Sequence, residues 1–344
     1  MLDGTYARGE AVVRIKTDIH HPNPAIREWP ALRISTKPHP RMGDRYRVWP
    51  LYNFSCAIDD HEMSVSHIIR GKEHEVNTTR QRYIFKHLGW EYPEIINFGR
   101  LGLEAGILSK SRIRRGVEDG TYTGWDDPRL GTLRALRRRG IQPETIRAII
   151  IEVGTKPVNA TLSWGNISAI NRRVIEPEAN RYFFVADPTP ISVSGVEGAH
   201  EARLPLHPDH HDRGTRNYRI EPDDGRTFLV ISGSDASEME SGQIVRLMGL
   251  FNLEVTEVEE NYVHGRYHSK DYQEARALDA PFIHWLPYNS GVEASVAMPD
   301  ASVAKGLAEP TCSTFEKGTM IQFERFGFVR VDSTDPFVAY YSHR

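Results

Sequence analysis

Apolar side chains alternate over one short stretch in the first third of the chain. The residues that share one parity there are apolar or aromatic: Val48, Tyr52, Phe54, Cys56 and Ile58. This alternation predicts a strand with one buried face. Acidic residues 59–60 then predict a turn, and residues 65–69 predict a second strand that ends at Arg70.

Helix signals follow this strand pair. Residues 76–88 predict a helix that ends at Gly89, and residues 95–98 predict another strand. The order strand, helix, strand is typical of half of a doubly wound nucleotide-binding fold. Downstream, residues 116–187 are mainly helical in pattern, with Asp127 as the N-cap of one helix and Pro128 at its first position.

The pattern changes again after Pro188. Short runs rich in β-branched and aromatic residues are separated by Gly, Pro and Asp turns from there to Arg344. Such runs are 227–231, 243–247, 253–258 and 320–331. Their spacing predicts β-barrels or sandwiches.

The candidate chemistry lies at Arg70-Gly71 and around Lys110. Ligands collect beyond the carboxyl ends of strands in open α/β sheets, and a guanidinium there suits a carboxylate or phosphate. The pattern alone favours a plainer alternative, an arginine that caps a strand with a surface ion pair. Two serines flank Lys110 and three arginines follow, which suits a polyphosphate, although Ser-Lys-Ser is common in loops.

Longer motifs carry a resemblance to a known family. Residues 107–111 resemble the KMSKS loop of class I aminoacyl-tRNA synthetases, with Ile107 in place of the first lysine. Residues 52–54, 69–74 and 124–129 resemble archaeal-type glutamyl-tRNA synthetases, and the resemblance extends to residues 323–325 and 342–344.

The resemblance implies an α/β plus all-β fold. It implies the second half of a Rossmann-type catalytic domain, a helical connecting subdomain and two anticodon-binding β-barrels. The corresponding ranges are 1–45 (remnant of the acceptor-binding insertion), 46–115, 116–187 and 188–344. The family's HIGH motif is missing from these residues, so we expect a C-terminal portion of a longer enzyme that is inactive alone.

The resemblance also implies a set of site residues. Lys110 is the expected catalytic residue, and the side chains expected to bind glutamate are Tyr52 and Arg70. The residues expected to bind ATP are Gly71, Arg100, Leu101, Leu108, Ser109 and Lys110. The residues expected to contact tRNA are Arg114, Arg115, Arg137, Arg138 and Arg246. Trp285 and Tyr288 are further anticodon candidates, although either could belong to a core.

The implied substrates are glutamate, ATP with Mg²⁺ and tRNA(Glu), and charging of tRNA(Gln) stays open. In glutaminyl enzymes an uncharged residue stands where Arg70 stands here, which argues against glutaminyl-tRNA synthetase. A non-catalytic tRNA-binding module is the other alternative.

Composition narrows the class of protein. The chain has 344 residues, a formal net charge of −3 and two cysteines, which predicts a globular cytoplasmic protein without a disulfide scaffold. We expect a monomer, no membrane span and no structural metal. The histidines of residues 207–212 lie in a loop without a second rigid element, and residues 59–62 fit a solvated turn better than a metal cluster.

Overall fold

The computed structural model describes residues 1–104 and 106–344, which form two compact units. The first unit contains residues 1–102 and 152–161, and the second contains residues 103–151 and 162–344. No helix within the described ranges is both long enough and apolar enough to cross a membrane.

The first unit combines small sheets with two helices. Its elements are β1 (Val12–Arg14), β2 (Pro30–Ile34), β3 (Val48–Pro50), α1 (Tyr52–Glu62), β4 (His67–Gly71), α2 (Glu75–Leu88) and β5 (Glu94–Phe98). Strands β1, β2 and β3 form an antiparallel sheet, whereas β4 and β5 pair in parallel. Its core consists of Trp29, Ala31, Ala57, Ile84 and Phe85.

The predicted strand over residues 48–58 is wrong, because β3 ends and α1 begins inside this stretch. The same residues also fit a helix: Phe54, Ala57 and Ile58 have i, i+3, i+4 spacing. Ala57 is completely buried in the core, so tertiary packing of this face decides between the two patterns. The predicted turn at residues 59–60 is also wrong, since both aspartates lie within α1.

The strand, helix, strand order predicted after this stretch is confirmed. Helix α2 ends before Gly89, whose φ of 71° is a conformation that glycine adopts without strain. The parallel register pairs Arg70 with Asn97 and Gly71 with Phe98. The carboxyl ends of β4 and β5 therefore lie at one edge of this small sheet.

A separate two-stranded sheet and four helices follow. The strands are β6 (Leu101–Leu103) and β7 (Ala160–Leu162). The helices are α3 (Lys110–Glu118), α4 (Leu133–Arg138), α5 (Pro143–Val153) and α6 (Trp164–Ile175).

Asp127 does not cap a helix, which corrects the prediction from sequence. Helix α4 begins at Leu133, and the Thr132 hydroxyl accepts the capping hydrogen bond from the amide of Ala135. The Asp127 carboxylate instead accepts from the amides of Thr123 and Arg129, both at distances of 3.0–3.1 Å. These bonds close a tight turn in front of α4.

The remainder of the second unit is mostly β-sheet. Its strands are β8 (Asn180–Tyr182), β9 (Phe184–Ala186), β10 (Pro188–Ser194), β11 (His200–Pro205), β12 (Thr215–Ile220), β13 (Arg226–Ser232), β14 (Ile244–Leu247), β15 (Asn252–Glu259), β16 (Tyr262–Ser269), β17 (Phe282–Ile283), β18 (Trp285–Pro287), β19 (Val292–Ala297), β20 (Val303–Ala308), β21 (Met320–Phe323), β22 (Gly327–Thr334) and β23 (Phe337–His343). Two short helices, α7 (Gly233–Ser237) and α8 (Tyr272–Ala277), interrupt them.

Two seven-stranded, barrel-like sheets organise these strands. The proximal sheet has the order β17-β14-β15-β16-β10-β13-β18, and the distal sheet has the order β8-β21-β22-β23-β19-β20-β9. Each sheet has its own apolar core. The predicted strands at 227–231, 243–247 and 253–258 are confirmed, whereas residues 320–331 form a hairpin of β21 and β22 rather than one run.

The turn of that hairpin contacts the β11–β12 pair, which forms a separate two-stranded sheet. Glu324 accepts a hydrogen bond from Arg216, which also donates to Glu309 at 2.5 Å. Arg216 and Glu309 are almost completely buried, so this ion pair lies in the interior between the β11–β12 pair and the distal sheet.

Candidate functional site

Arg70 is the last residue but one of β4, and three uncharged acceptors hold its side chain. Its Nη1 donates to Oε1 of Gln81 at 2.9 Å, and its Nη2 donates to the hydroxyls of Thr78 and Tyr92. No carboxylate of residues 1–104 or 106–344 lies within ion-pair distance of this guanidinium. The arrangement fixes the position of a half-buried cation. The Asp60 carboxyl senses this charge without forming an ion pair with it, because Arg70 opposes the rise that burial causes in the pKa of Asp60.

Several buried polar atoms of the first unit, among them atoms of Arg70 and its partner Gln81, are also unsatisfied. Among the described residues, no hydrogen-bond partner exists for buried Nε of Arg70, Nε2 of Gln81, Oδ1 of Asn53 and Oδ1 of Asn97. Native proteins rarely leave buried polar atoms unpaired, and such atoms often mark the place of a ligand or ordered water. Asn97 is the strand partner of Arg70, so part of this set lies at the carboxyl edge of the sheet.

Tyr52 lies on α1, the helix that also carries Cys56, whose pKa Arg70 affects. Tyr52 is the first residue of α1, is half exposed, and its ring centroid is 5.8 Å from that of His74. Burial and the two nearby aspartates raise the pKa of the Cys56 thiol, and both Tyr52 and Arg70 oppose that rise. The structure thus brings Tyr52 and Arg70 to the surroundings of one cysteine.

Gly71, the residue after Arg70, leaves room for the Glu73 carboxylate close to the backbone. A Cβ atom at Gly71 would collide with the carboxylate of Glu73, so no larger side chain fits here without movement. Arg100 is exposed, and its amide donates to Oδ1 of Asn159 at 3.0 Å. Leu101 begins β6. The ATP roles of these three residues stay predictions.

The KMSKS-like segment lies in the second unit and is anchored at both ends. Ile107 forms a parallel bridge with Leu130, and Ile113 is buried against the same leucine. Leu108, Ser109 and Lys110 are exposed between these anchors. Lys110 is the first residue of α3 rather than part of a loop, which corrects the prediction from sequence.

Arg70 belongs to the first unit and Lys110 to the second. From the sequence we expect these two cations to share one cleft, where glutamate and ATP meet. That cleft stays a prediction, as do the ATP roles of Leu108 and Ser109.

A basic cavity of about 520 Å³ lies beside α4 in the second unit. Its lining consists of Asp126, Arg134, Arg137, Arg138, Lys317, Arg330 and Asp332. Arg138 donates to Asp126 at 3.0 Å and to Asp332 at 3.1 Å, and it stacks on Tyr340. Within the described ranges Arg134 and Arg137 form no ion pair, and both are exposed, so their charges remain available to an anionic partner.

The other expected tRNA contacts differ in accessibility. Arg114 and Arg115 are exposed on α3. Arg246 is only 6% exposed and donates to Oδ1 of Asn252 at 2.9 Å. Trp285 is completely buried in the proximal core, whereas Tyr288 is half exposed. Accessibility therefore favours Tyr288 over Trp285 as a base-stacking residue, and the role of Arg246 stays a prediction.

Comparison with protein families assigns the class of protein that this fold represents. The profile described as tRNA synthetases class I (E and Q), catalytic domain, matches residues 1–177. Two profiles for anti-codon binding domains of the same class match residues 179–269 and 282–332. The chain therefore belongs to the class I tRNA synthetases (E and Q), and the fold class predicted from sequence is confirmed.

Individual relatives narrow the resemblance further. A protein named glutamate–tRNA ligase from Pyrococcus furiosus is 54% identical over 350 residues, covering 100% of this chain and 60% of the relative. A protein of the same name from Methanopyrus kandleri is 49% identical over 345 residues, again covering 100% of this chain and 60% of the relative. The chain thus spans about 60% of the length of these relatives, and the expected similarity to archaeal glutamyl enzymes is confirmed.

A solved glutamate tRNA ligase from Elizabethkingia meningosepticum is a more distant match. It is 20% identical, covers 38% of this chain and 31% of its own, and gives a TM-score of 0.28. That score is too low to support a structural argument.

Sequence reasoning missed the residues that position Arg70. Thr78 and Gln81 are one turn apart on α2, and Tyr92 follows that helix. The available signal was the i, i+3 spacing of Thr78 and Gln81, which puts two polar side chains on one face of α2.

Proposed function

We propose that this chain is the part of a glutamate–tRNA ligase that selects glutamate and binds tRNA. The observation that carries the proposal is the guanidinium of Arg70, which forms no ion pair among the described residues. Its own Nε and Nε2 of its partner Gln81 are buried and have no hydrogen-bond partner there. A carboxylate would complete this site, because it compensates the charge of a guanidinium and accepts charge-assisted hydrogen bonds from it, and Nε of Arg70 still has no partner. The names of the similar proteins support glutamate as the source of that carboxylate.

Charge at Arg70 also explains a preference for glutamate over glutamine. The γ-carboxylate of glutamate would neutralise the guanidinium, whereas the amide of glutamine would leave it uncompensated. Leaving a buried charge without its partner costs about 3–5 kcal/mol, and the half-exposed position of Arg70 reduces that cost. Glutamate is therefore the favoured substrate.

The proposed reaction has two steps. An oxygen of the glutamate α-carboxylate attacks the α-phosphorus of ATP, and pyrophosphate leaves as glutamyl-adenylate forms. A ribose hydroxyl at the 3′ end of tRNA then attacks the activated carbonyl carbon, and AMP leaves. Mg²⁺ enters as the ATP complex and neutralises phosphate charge. In this scheme Tyr52 and Arg70 orient glutamate, and Lys110 stabilises charge that develops on the phosphates.

The basic cavity beside α4 supports the tRNA part of the proposal. The exposed guanidinium groups of Arg134 and Arg137 suit backbone phosphates, which contribute affinity without reading sequence. Membership in a family with anticodon-binding domains supports tRNA as the nucleic acid.

Exchange of pyrophosphate into ATP tests the proposal. We would assay this chain, and this chain joined to the remaining residues of the Pyrococcus furiosus relative, with glutamate or glutamine. Glutamate-dependent exchange is expected for the joined protein. Glutamine-dependent exchange would indicate a glutaminyl enzyme, and tRNA binding without exchange by the joined protein would indicate a non-catalytic binding module.

A further inference from the structure

A second cavity of the second unit has a volume of about 470 Å³. Its lining includes Gly106, Arg129, Arg139, Trp164, Tyr341 and Arg344. None of the residues expected to bind substrate or tRNA contributes to this lining. Two aromatic side chains and three arginines therefore surround a space that the proposed ligase reaction does not use.

Arg139 is the central feature of this cavity. It follows α4, is only 5% exposed, and its guanidinium carbon lies 4.1 Å from the ring centroid of Trp164. One terminal nitrogen donates to the carbonyl of Ser342 at 3.3 Å. Its buried Nε has no hydrogen-bond partner among residues 1–104 and 106–344, and no carboxylate there forms an ion pair with it.

A buried guanidinium without a counter-charge is unfavourable, because burial removes the water that stabilises the cation. Burial lowers the pKa of Arg139 to about 10, which reflects the same cost. Asp300, a carboxylate of the lining, is exposed and accepts from the amide and hydroxyl of Ser302, and it forms no ion pair with Arg139. Arg129 is a further cation of the lining and is paired with Asp127.

We propose that this cavity binds a phosphate group, with Arg139 as its buried charged donor and Arg344 as a second cation. The rings of Trp164 and Tyr341 line the same cavity, so a base or ribose attached to that phosphate would contact aromatic carbon there. Either a phosphodiester of tRNA or a free phosphate compound such as AMP presents this chemistry. The site uses none of the residues proposed to bind glutamate, so binding of a free phosphate compound does not depend on the proposed ligase activity. Binding of a tRNA phosphodiester rests on the proposed tRNA binding.

Thermal unfolding of the full chain tests the site with sodium phosphate and AMP, compared with sodium chloride at equal ionic strength. Fluorescence anisotropy of labelled tRNA provides the second arm.

Arg139→Met retains the apolar stem and removes the charge. We expect this variant to lose the phosphate-dependent rise in Tm, or to bind tRNA more weakly. Its Tm without phosphate should stay at or above that of the unsubstituted chain, because an uncompensated charge has been removed. A purely structural arginine would instead lower that Tm.

Two further variants complete the design. Arg344 is exposed, so Arg344→Gln should fold normally and weaken the same response, which preserves the test if Arg139→Met does not fold. Arg147→Met removes an exposed arginine of α5 outside the cavity and should respond as the unsubstituted chain does.

The two arms identify the source of the phosphate. A phosphate or AMP response that Arg139→Met and Arg344→Gln reduce indicates a free phosphate compound. A loss confined to tRNA affinity, with no response to free phosphate, indicates a phosphodiester. Equal responses of the unsubstituted chain and both variants to all three ligands would overturn the proposal.

Discussion

Arg325 and Asp235 form a two-point ion pair, with both terminal nitrogens of the guanidinium 2.7 Å from the carboxylate oxygens. Arg325 lies in the β21–β22 turn of the distal sheet, and Asp235 lies in α7, directly after β13 of the proximal sheet. Arg325 has a φ of 65°, an unusual conformation for a residue other than glycine. The pair therefore fixes the turn of one sheet against the other.

Arg325→Met is expected to lower the free energy of unfolding by about 1–3 kcal/mol, because the largely buried Asp235 carboxylate loses its charged donors. Urea denaturation measures the loss, and an Arg325→Met, Asp235→Asn double mutant should recover part of it. Arg219→Met, which breaks an exposed pair with Glu221, is the control and should cost less than about 1 kcal/mol. Equal losses for Arg325→Met and Arg219→Met would contradict the assigned role.

Acid should weaken the same region through His284. Burial lowers the pKa of this histidine from 6.5 to about 4, with Asp235 opposing the shift and Arg325 adding to it. The unfolded chain takes up the proton near pH 6.5, whereas the folded protein resists it until about pH 4. The free energy of unfolding should therefore fall by up to about 3 kcal/mol as pH drops through this window.

Denaturation curves from pH 7 to pH 4 measure this dependence. His284→Gln can still donate to the carbonyl of Phe184 and should show a shallower fall. His67→Gln removes an exposed histidine as the matched control. If His284→Gln keeps the full slope, another group causes the acid sensitivity.

Arg70→Ala should raise the KM for glutamate strongly and change the KM for ATP much less. The guanidinium is proposed to bind only the amino acid, and hydrogen bonds to charged groups contribute about 1.5–3 kcal/mol, or roughly 10-fold to 100-fold in KM. Exchange kinetics of a pyrophosphate-exchanging form of the protein provide the measurement. Arg33→Ala, at an exposed arginine of β2, is the control, and an unchanged glutamate KM in Arg70→Ala would refute the assignment.

Lys110→Met should lower kcat of the exchange reaction by roughly 10²–10³ with a smaller effect on the KM for glutamate. Removing one group that stabilises transition-state charge has losses of this order. Lys305→Met removes an exposed lysine of β20 and should leave the exchange rate unchanged. A Lys110→Met variant with normal kcat would rule out the proposed catalytic role.

Arg137→Ala should weaken tRNA binding and reduce its dependence on salt. If the exposed guanidinium contacts one phosphate, the slope of log K against log salt should become shallower by about 1. Binding titrations at several salt concentrations measure the slope, with Arg226→Ala on β13 as the control. An unchanged slope would place Arg137 outside the tRNA interface.

Periodicity and capping signals predicted much of the fold. Where they gave the wrong element, contacts with residues outside the element determined the structure. Helix α2 and its terminal Gly89 follow directly from periodicity and capping. Residues 52–58 fit two periods at once, and only burial of Ala57 against the core selects the helix. Aspartate is a common N-cap residue, but the Asp127 carboxylate accepts its hydrogen bonds from Arg129 and from nearby amides instead of capping a helix.

In the candidate site, the sequence pointed to Arg70 but not to the residues that hold its side chain. A strand that ends in Arg-Gly drew attention to Arg70 from sequence alone. The acceptors on α2 that orient it come from a different element, and their contact depends on how α2 packs over β4. The unpaired state of Arg139 was not visible in sequence, where it is one member of a run of three arginines.

That run shows how a helix distributes identical charges. Successive residues of a helix point about 100° apart, so neighbours in sequence face different surroundings. Arg137 faces solvent, Arg138 bridges two aspartates, and Arg139 enters the interior. Inserting one residue ahead of them would move each arginine into the next environment, so that the solvated Arg137 would take the paired position and the paired Arg138 would enter the interior. The position of each arginine in the register, rather than the number of positive charges, sets what this segment can hold.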